Sequence, residues 1–166
     1  MPAAIFNADD ALAVAEQVER NGRAFYLRAA EVATEPETKK LLGDLAAWEE
    51  GHQAVFSRMR ADLTEEEKKA TTFDPEGVNE LYLQAMADTH VFTTGADPAA
   101  LIADGEAPEE IIAKALAFER DSIALFLGIA KMVPERLGRD KVERIIEEEV
   151  SHIAYLNRLR QKLRKT

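Results

Sequence analysis

Apolar residues recur three and four positions apart in four long stretches of the chain, and no comparable stretch alternates apolar with polar as a strand would. The pattern predicts helix A over about 8–33, with Asn7 as a possible N-cap and a stripe of Leu12, Ala15, Val18, Gly22, Phe25, Ala29 and Val32. Helix B is expected over about 35–59, opened by a Thr34/Glu37 capping box, with Leu41, Leu45, Trp48, Val55, Phe56 and Met59 on its apolar face. Helix C follows over about 108–132, between Pro108 at its first position and Pro134 beyond its end, with stripe Ile112, Ala115, Phe118, Ser122, Phe126 and Ile129. Helix D takes about 139–163, with Val142, Ile145, Leu156, Leu159 and Leu163.

The A–B and C–D connections are short, so each pair is expected to form an antiparallel hairpin. The hairpins span about 8–60 and 108–164. The stretch between them, about 61–107, carries helix-start signals at Thr64 with Glu67, at Asp74-Pro75 and at Asp97-Pro98. It reads as a crossover with short helices of its own, so the expectation is one all-α domain over residues 1–166, a four-helix bundle of two hairpins.

Each stripe is broken by polar residues near its middle. Glu19 interrupts A, Glu49 and His52 interrupt B, Glu119 interrupts C, and Glu149 and His152 interrupt D. Residues three apart lie on one helix face, so each Glu-x-x-His pair aims at one point. Glutamate is abundant, 21 of 166 residues, so one such pair alone would say little; but two of the three histidines carry it. The sets also repeat: Glu19, Glu49 and His52 recur 100 positions later, and flanking residues match in character, as in Tyr26 with Phe126, Leu45 with Ile145 and Phe56 with Leu156.

Four carboxylates in a weakly screened interior would repel one another and pay several kcal/mol each in desolvation. Two divalent cations cancel that charge. Carboxylate oxygens with one imidazole per ion suit iron or manganese, and zinc is possible.

One Glu from each of two helices and Glu-x-x-His from each of the other two is the ferritin-like diiron arrangement. On Glu19 with Phe25-Tyr26, Glu49-Glu50-Gly51-His52, Glu119 and Glu149-Val150-Ser151-His152, the chain resembles the rubrerythrin-like branch of the ferritin-like diiron-carboxylate proteins. The resemblance implies a ferritin-like bundle with two iron ions on those six residues. It also implies an oxidoreductase reducing hydrogen peroxide or dioxygen, a role in oxidative stress, and an external electron donor. Alternatives are a ferroxidase feeding iron storage, or a metal-binding module without turnover. A homodimer or higher homo-oligomer is expected. Two departures stand out: the chain has no cysteine for a rubredoxin-type module, and Ser122 stands where full rubrerythrins bring an extra Glu.

The remaining features narrow the picture less. Net charge is −10, which argues against a nucleic-acid partner. The basic cluster Arg158, Arg160, Lys162, Arg164 and Lys165 reads as a solvated last turn complementing the helix dipole, with a membrane-surface or partner patch as the alternative. No secretory signal and no apolar run approaching ~18 residues is visible, so no membrane partner and a cytoplasmic location are expected. The resemblance implies that Tyr26 could hydrogen-bond a ligand carboxylate; the alternative is a core tyrosine whose hydroxyl is satisfied elsewhere. Glu148 reads as a solvated member of an acidic run, with orientation of His52 as the alternative. His90 reads as a surface or capping histidine, with a further metal ligand as the alternative. Trp48 and Phe118 read as packing that shields the site.

Overall fold

A computed structural model describes residues 7–69, 78, 81, 82, 85 and 97–165. These form α1 (Ala8–Val32), α2 (Pro36–Ala61), α3 (Glu65–Lys69), α4 (Pro108–Met132) and α5 (Arg139–Leu163), with 3-10 turns at Pro98–Leu101 and Glu135–Leu137. Val78, Leu81, Tyr82 and Ala85 are also helical, and the described residues contain no strand. The expected start at Asp74-Pro75, and His90, lie outside the described residues.

Local chemistry sets most of the boundaries. Asn7 caps α1 by accepting from the Asp10 N–H at 3.0 Å, while Asp10 accepts from the Asn7 N–H at 3.2 Å. Thr64 and Glu67 make the same reciprocal pair at α3, and Asp97 accepts from the Ala99 N–H at 3.0 Å. Pro108 opens α4 as expected, and α5 begins beyond Gly138, whose φ of 87° lies in the left-handed region that a side chain would strain.

The Thr34/Glu37 capping box does not form; Glu35 is the N-cap of α2 and gives no side-chain cap bond. The cause is Pro36. A residue before proline is pushed out of the α region, and Glu35 is extended at φ −76°, ψ 126°. The helix therefore starts at Pro36, which brings Glu37 too close to the helix start for a box. Glu37 instead pairs with Lys162 on α5.

The long helices pack as two antiparallel hairpins, α1 on α2 and α4 on α5, with α1 also against α4 and α2 against α5. Arg60, at the end of α2, grips Asp9 at the start of α1 at 2.8 and 3.2 Å. At that same end Arg136, in the α4–α5 turn, holds Glu67 and the Asp62 carbonyl. At the other end of α1, Arg28 pairs with Asp104, just before α4. The described residues that follow α2 and those that precede α4 thus lie at opposite ends of the bundle, and between them in sequence Tyr82 donates its hydroxyl to the Ala124 carbonyl.

Leu12, Leu45, Phe56, Ile112, Phe126, Ile145 and Leu156 are among the buried core residues, in agreement with the stripes. In α2 the stripe is offset from the expected one: Leu42 is fully buried and Leu41 only partly, while Trp48 is 39% exposed. Packing registers α2 on Leu42, Leu45, Glu49, His52, Phe56 and Met59, which leaves Trp48 at the margin. No helix among the described residues is long and apolar enough to cross a membrane.

Candidate metal centre

The six polar interruptions meet in the middle of the bundle. Glu19 comes from α1, Glu49 and His52 from α2, Glu119 from α4, and Glu149 and His152 from α5; each is at most 4% exposed. Burying so many ionisable groups is costly unless something neutralises them.

Their atoms form two overlapping groups. Glu19, Glu49, His52 and Glu149 each offer an atom within 4.8 Å of the others, and Glu49, Glu119, Glu149 and His152 do the same. Glu49 and Glu149 belong to both groups. Each histidine presents Nδ1 to the cluster: that of His52 is 2.9 Å from Glu149 Oε1 and 3.7 Å from Glu19 Oε2. That of His152 is 2.8 Å from Glu149 Oε2 and 3.5 Å from Glu119 Oε2.

Close as they are, these atoms do not satisfy one another. Both oxygens of Glu49 and of Glu149, Glu19 Oε1, Glu119 Oε2 and both Nδ1 atoms are buried without a hydrogen bond of proper geometry. Buried polar atoms are nearly always paired. Here the orphans are all metal-type donors converging on one place, so the residues fit a metal centre.

The electrostatics say the same of the metal-free cluster. Burial, then the charge of neighbouring carboxylates, pushes Glu49 well above the usual carboxylate range; burial does the same to Glu19. Glu119 is pushed up to about 8 by burial and the Glu149 charge. Burial would lower His52 and His152, but their contacts with Glu149, and for His152 with Glu119, prevail and raise them to about 9 and about 10. Glu149 goes the other way: burial would raise it, but contacts with Glu119, His152 and His52 hold it down. Without a metal ion, protons would supply the balancing positive charge.

Around the cluster the repeat breaks its symmetry. Tyr26 donates its hydroxyl to Glu119 Oε1, settling its role as a donor to that carboxylate. Its counterpart in the repeat, Phe126, has no hydroxyl to give Glu19. Glu148 is not merely a solvated member of its acidic run: its Oε2 lies 2.8 Å from His52 Nε2. A proton on Nε2 shared with Glu148 would fix that ring and keep Nδ1 turned toward the cluster, available to a metal once its own proton is lost.

Position 48, the counterpart of 148, is a tryptophan, and its indole stacks on His152 with ring centres 5.0 Å apart and planes 11° apart. Phe118 meets Tyr26 edge-on at 5.9 Å. It reaches that place only because residue 22 is glycine: a Cβ there would lie 2.5 Å from Phe118 Cζ and 3.2 Å from Glu49 Oε2.

No family model matches the chain, and no curated protein matches it. A solved structure does: a candidate ferritin-like diiron-carboxylate protein from Thermotoga maritima, 21% identical, with a TM-score of 0.74 over 93% of this chain and 95% of that one. The chain therefore has the ferritin-like helical fold.

Proposed function

We propose that this protein is a dinuclear iron-carboxylate oxidoreductase of the rubrerythrin-like type, reducing hydrogen peroxide or dioxygen with electrons from an external donor. The observation that carries the reading is the pair of overlapping donor groups, whose orphaned atoms share Glu49 and Glu149. In this reading Glu19 and His52 would hold one ion and Glu119 and His152 the other, with Glu49 and Glu149 within reach of both. Two iron ions there would supply the pair of one-electron couples that reduction of an O–O bond needs.

The chain's own residues supply the rest. The four glutamates carry four negative charges to balance two divalent ions. Glu148 holds the His52 ring by Nε2, and the Tyr26 hydroxyl holds Glu119 by Oε1, so that Oε2 is left for the centre. Phe118 and Phe25, both about 1% exposed, pack beside Tyr26 and keep water from that side, while Trp48 covers His152.

The stoichiometry follows directly. Protein loaded with ferrous iron under nitrogen and desalted is expected to hold close to two metals per chain by elemental analysis. Saturation near one would remove the shared-glutamate arrangement.

The functional test is anaerobic ferrous loading followed by stopped-flow mixing with peroxide and, separately, with air. Faster oxidation by peroxide, with oxidised iron staying bound, is the expected result. Oxidised iron that leaves the site and accumulates as mineral would mark a ferroxidase instead. Ser122, buried one turn beyond Glu119, offers no carboxylate to the centre. Peroxide is therefore expected to oxidise the ferrous protein without a fast multi-turnover cycle. Rapid turnover with a rubredoxin-type donor would show that Ser122 is not limiting.

A further inference from the structure

Between α2 and α5 the surface opens into a groove of about 410 Å³. In a chain of net charge −10, this groove is lined by three cations, Arg58, Lys141 and Arg144. All three are exposed, and none is ion-paired with a described residue. Elsewhere Arg60, Arg136 and Lys162 each hold a carboxylate. The one carboxylate on the groove, Glu148, is engaged with His52 Nε2 at 2.8 Å.

The walls between the cations are of another kind. Val55, Met59 and Ile145 give an apolar lining, and Trp48 contributes a flat indole that is 39% exposed. Three free cations beside an apolar, partly aromatic wall call for a ligand with both characters. A phosphate matches the cations through charge-assisted hydrogen bonds, and a flat ring matches the indole and the aliphatic wall. The volume lies within the range of small-molecule clefts, roughly 300–1,000 Å³.

We propose that this groove binds a mononucleotide-class ligand, a heteroaromatic ring carrying a phosphate. An acidic protein surface would also be drawn to the three cations, but the concavity and its size favour the small ligand. The groove adjoins the metal centre, since His52 lines it and Trp48 stacks on His152, but the three cations and the aliphatic wall lie outside the buried cluster, so the inference does not rest on metal binding. Its failure would leave that reading intact.

The test is an equilibrium titration of the full, metal-free chain at low salt with flavin mononucleotide, followed by flavin fluorescence. Adenosine monophosphate, riboflavin and inorganic phosphate are run as competitors. At least one of the two mononucleotides is expected to bind tenfold or more tighter than riboflavin or phosphate, a difference of about 1.4 kcal/mol. Which of the two wins identifies the ring.

The triple variant R58Q/K141Q/R144Q is expected to lose that advantage while riboflavin binding stays unchanged, and each single variant should lose part of it. These side chains are exposed, so far-UV circular dichroism should confirm an intact fold. Phosphate competing as well as the mononucleotides, binding unchanged in the triple variant, or no mononucleotide binding would each overturn the proposal. An acidic protein that binds where no mononucleotide does would also overturn it.

Discussion

Replacing Glu49 with methionine is expected to stabilise the metal-free protein and to destabilise the iron-loaded one. Glu49 is fully buried, neither of its oxygens has a hydrogen bond, and its nearest histidine nitrogen in an ion-pair contact is 3.8 Å away. Methionine is unbranched and of similar length, so it should occupy the same space beside Gly22 and Phe118. The metal-free form loses a desolvated carboxyl and gains a packed apolar group, on the order of 1 kcal/mol. In a chain of this size that raises Tm by about 2–4 °C.

The loaded form loses a shared ligand and a neutralising charge, and with them the stabilisation that binding adds by mass action. Glu119→Met is the control. It strands the buried Tyr26 hydroxyl, which costs about 1–3 kcal/mol, so it should destabilise both forms. Melting curves of both variants, with chelator and with ferrous iron under nitrogen, decide the matter. An equal loss of metal-free Tm in the two variants would mean that Glu49 holds the bundle by interactions of its own.

The second large effect is a pH dependence that reverses on loading. In the metal-free protein Glu119 titrates at about 8 against an ordinary 4.5, and His52 and His152 at about 9 and about 10 against 6.5. Glu19 and Glu49 are also raised. Each raised group binds its proton more tightly in the folded state. Its contribution is complete below the unfolded pKa and disappears as pH rises through the folded one.

Between about 4.5 and about 10 the metal-free protein should therefore lose stability with rising pH. The slope is about 1.4 kcal/mol per pH unit for each extra proton the native state holds. Glu149 is lowered, so its contribution is present above 4.5 and is lost only on stronger acidification. Metal binding needs the same groups deprotonated, so loading should tighten as pH rises. Tm against pH should fall with chelator and rise with ferrous iron across the neutral range. Parallel profiles would mean that metal does not displace these protons.

Much of this molecule is legible along the chain. Pro108 and Pro134 about α4, the Asn7 cap of α1 and the apolar spacing locate the long helices, and Thr64 with Glu67 locates the short α3, because such signals act over one or two turns. The six central residues are legible for a related reason: each breaks an apolar stripe, and the break recurs 100 positions later. The failed box at Thr34 was also written there, since Pro36 forbids Glu35 a helical conformation. The offset that exposes Trp48 was less so, because neighbouring registers of an apolar stripe differ by one residue, and contact with the facing helices selects between them.

By itself, then, the sequence determined the helices, the hairpin pairing and the identity of the clustered carboxylates and imidazoles, all of which follow from local propensity and periodic burial. The tertiary structure decided how those groups are shared and supported: that Glu49 and Glu149 face both halves, that Glu148 steadies His52 while Trp48 stacks on His152, and that Tyr26 serves Glu119. The Tyr26 and Glu148 contacts join residues 93 and 96 positions apart. Their partners are chosen by how α1 meets α4 and α2 meets α5, an outcome of packing whole helix faces against one another that no local pattern encodes.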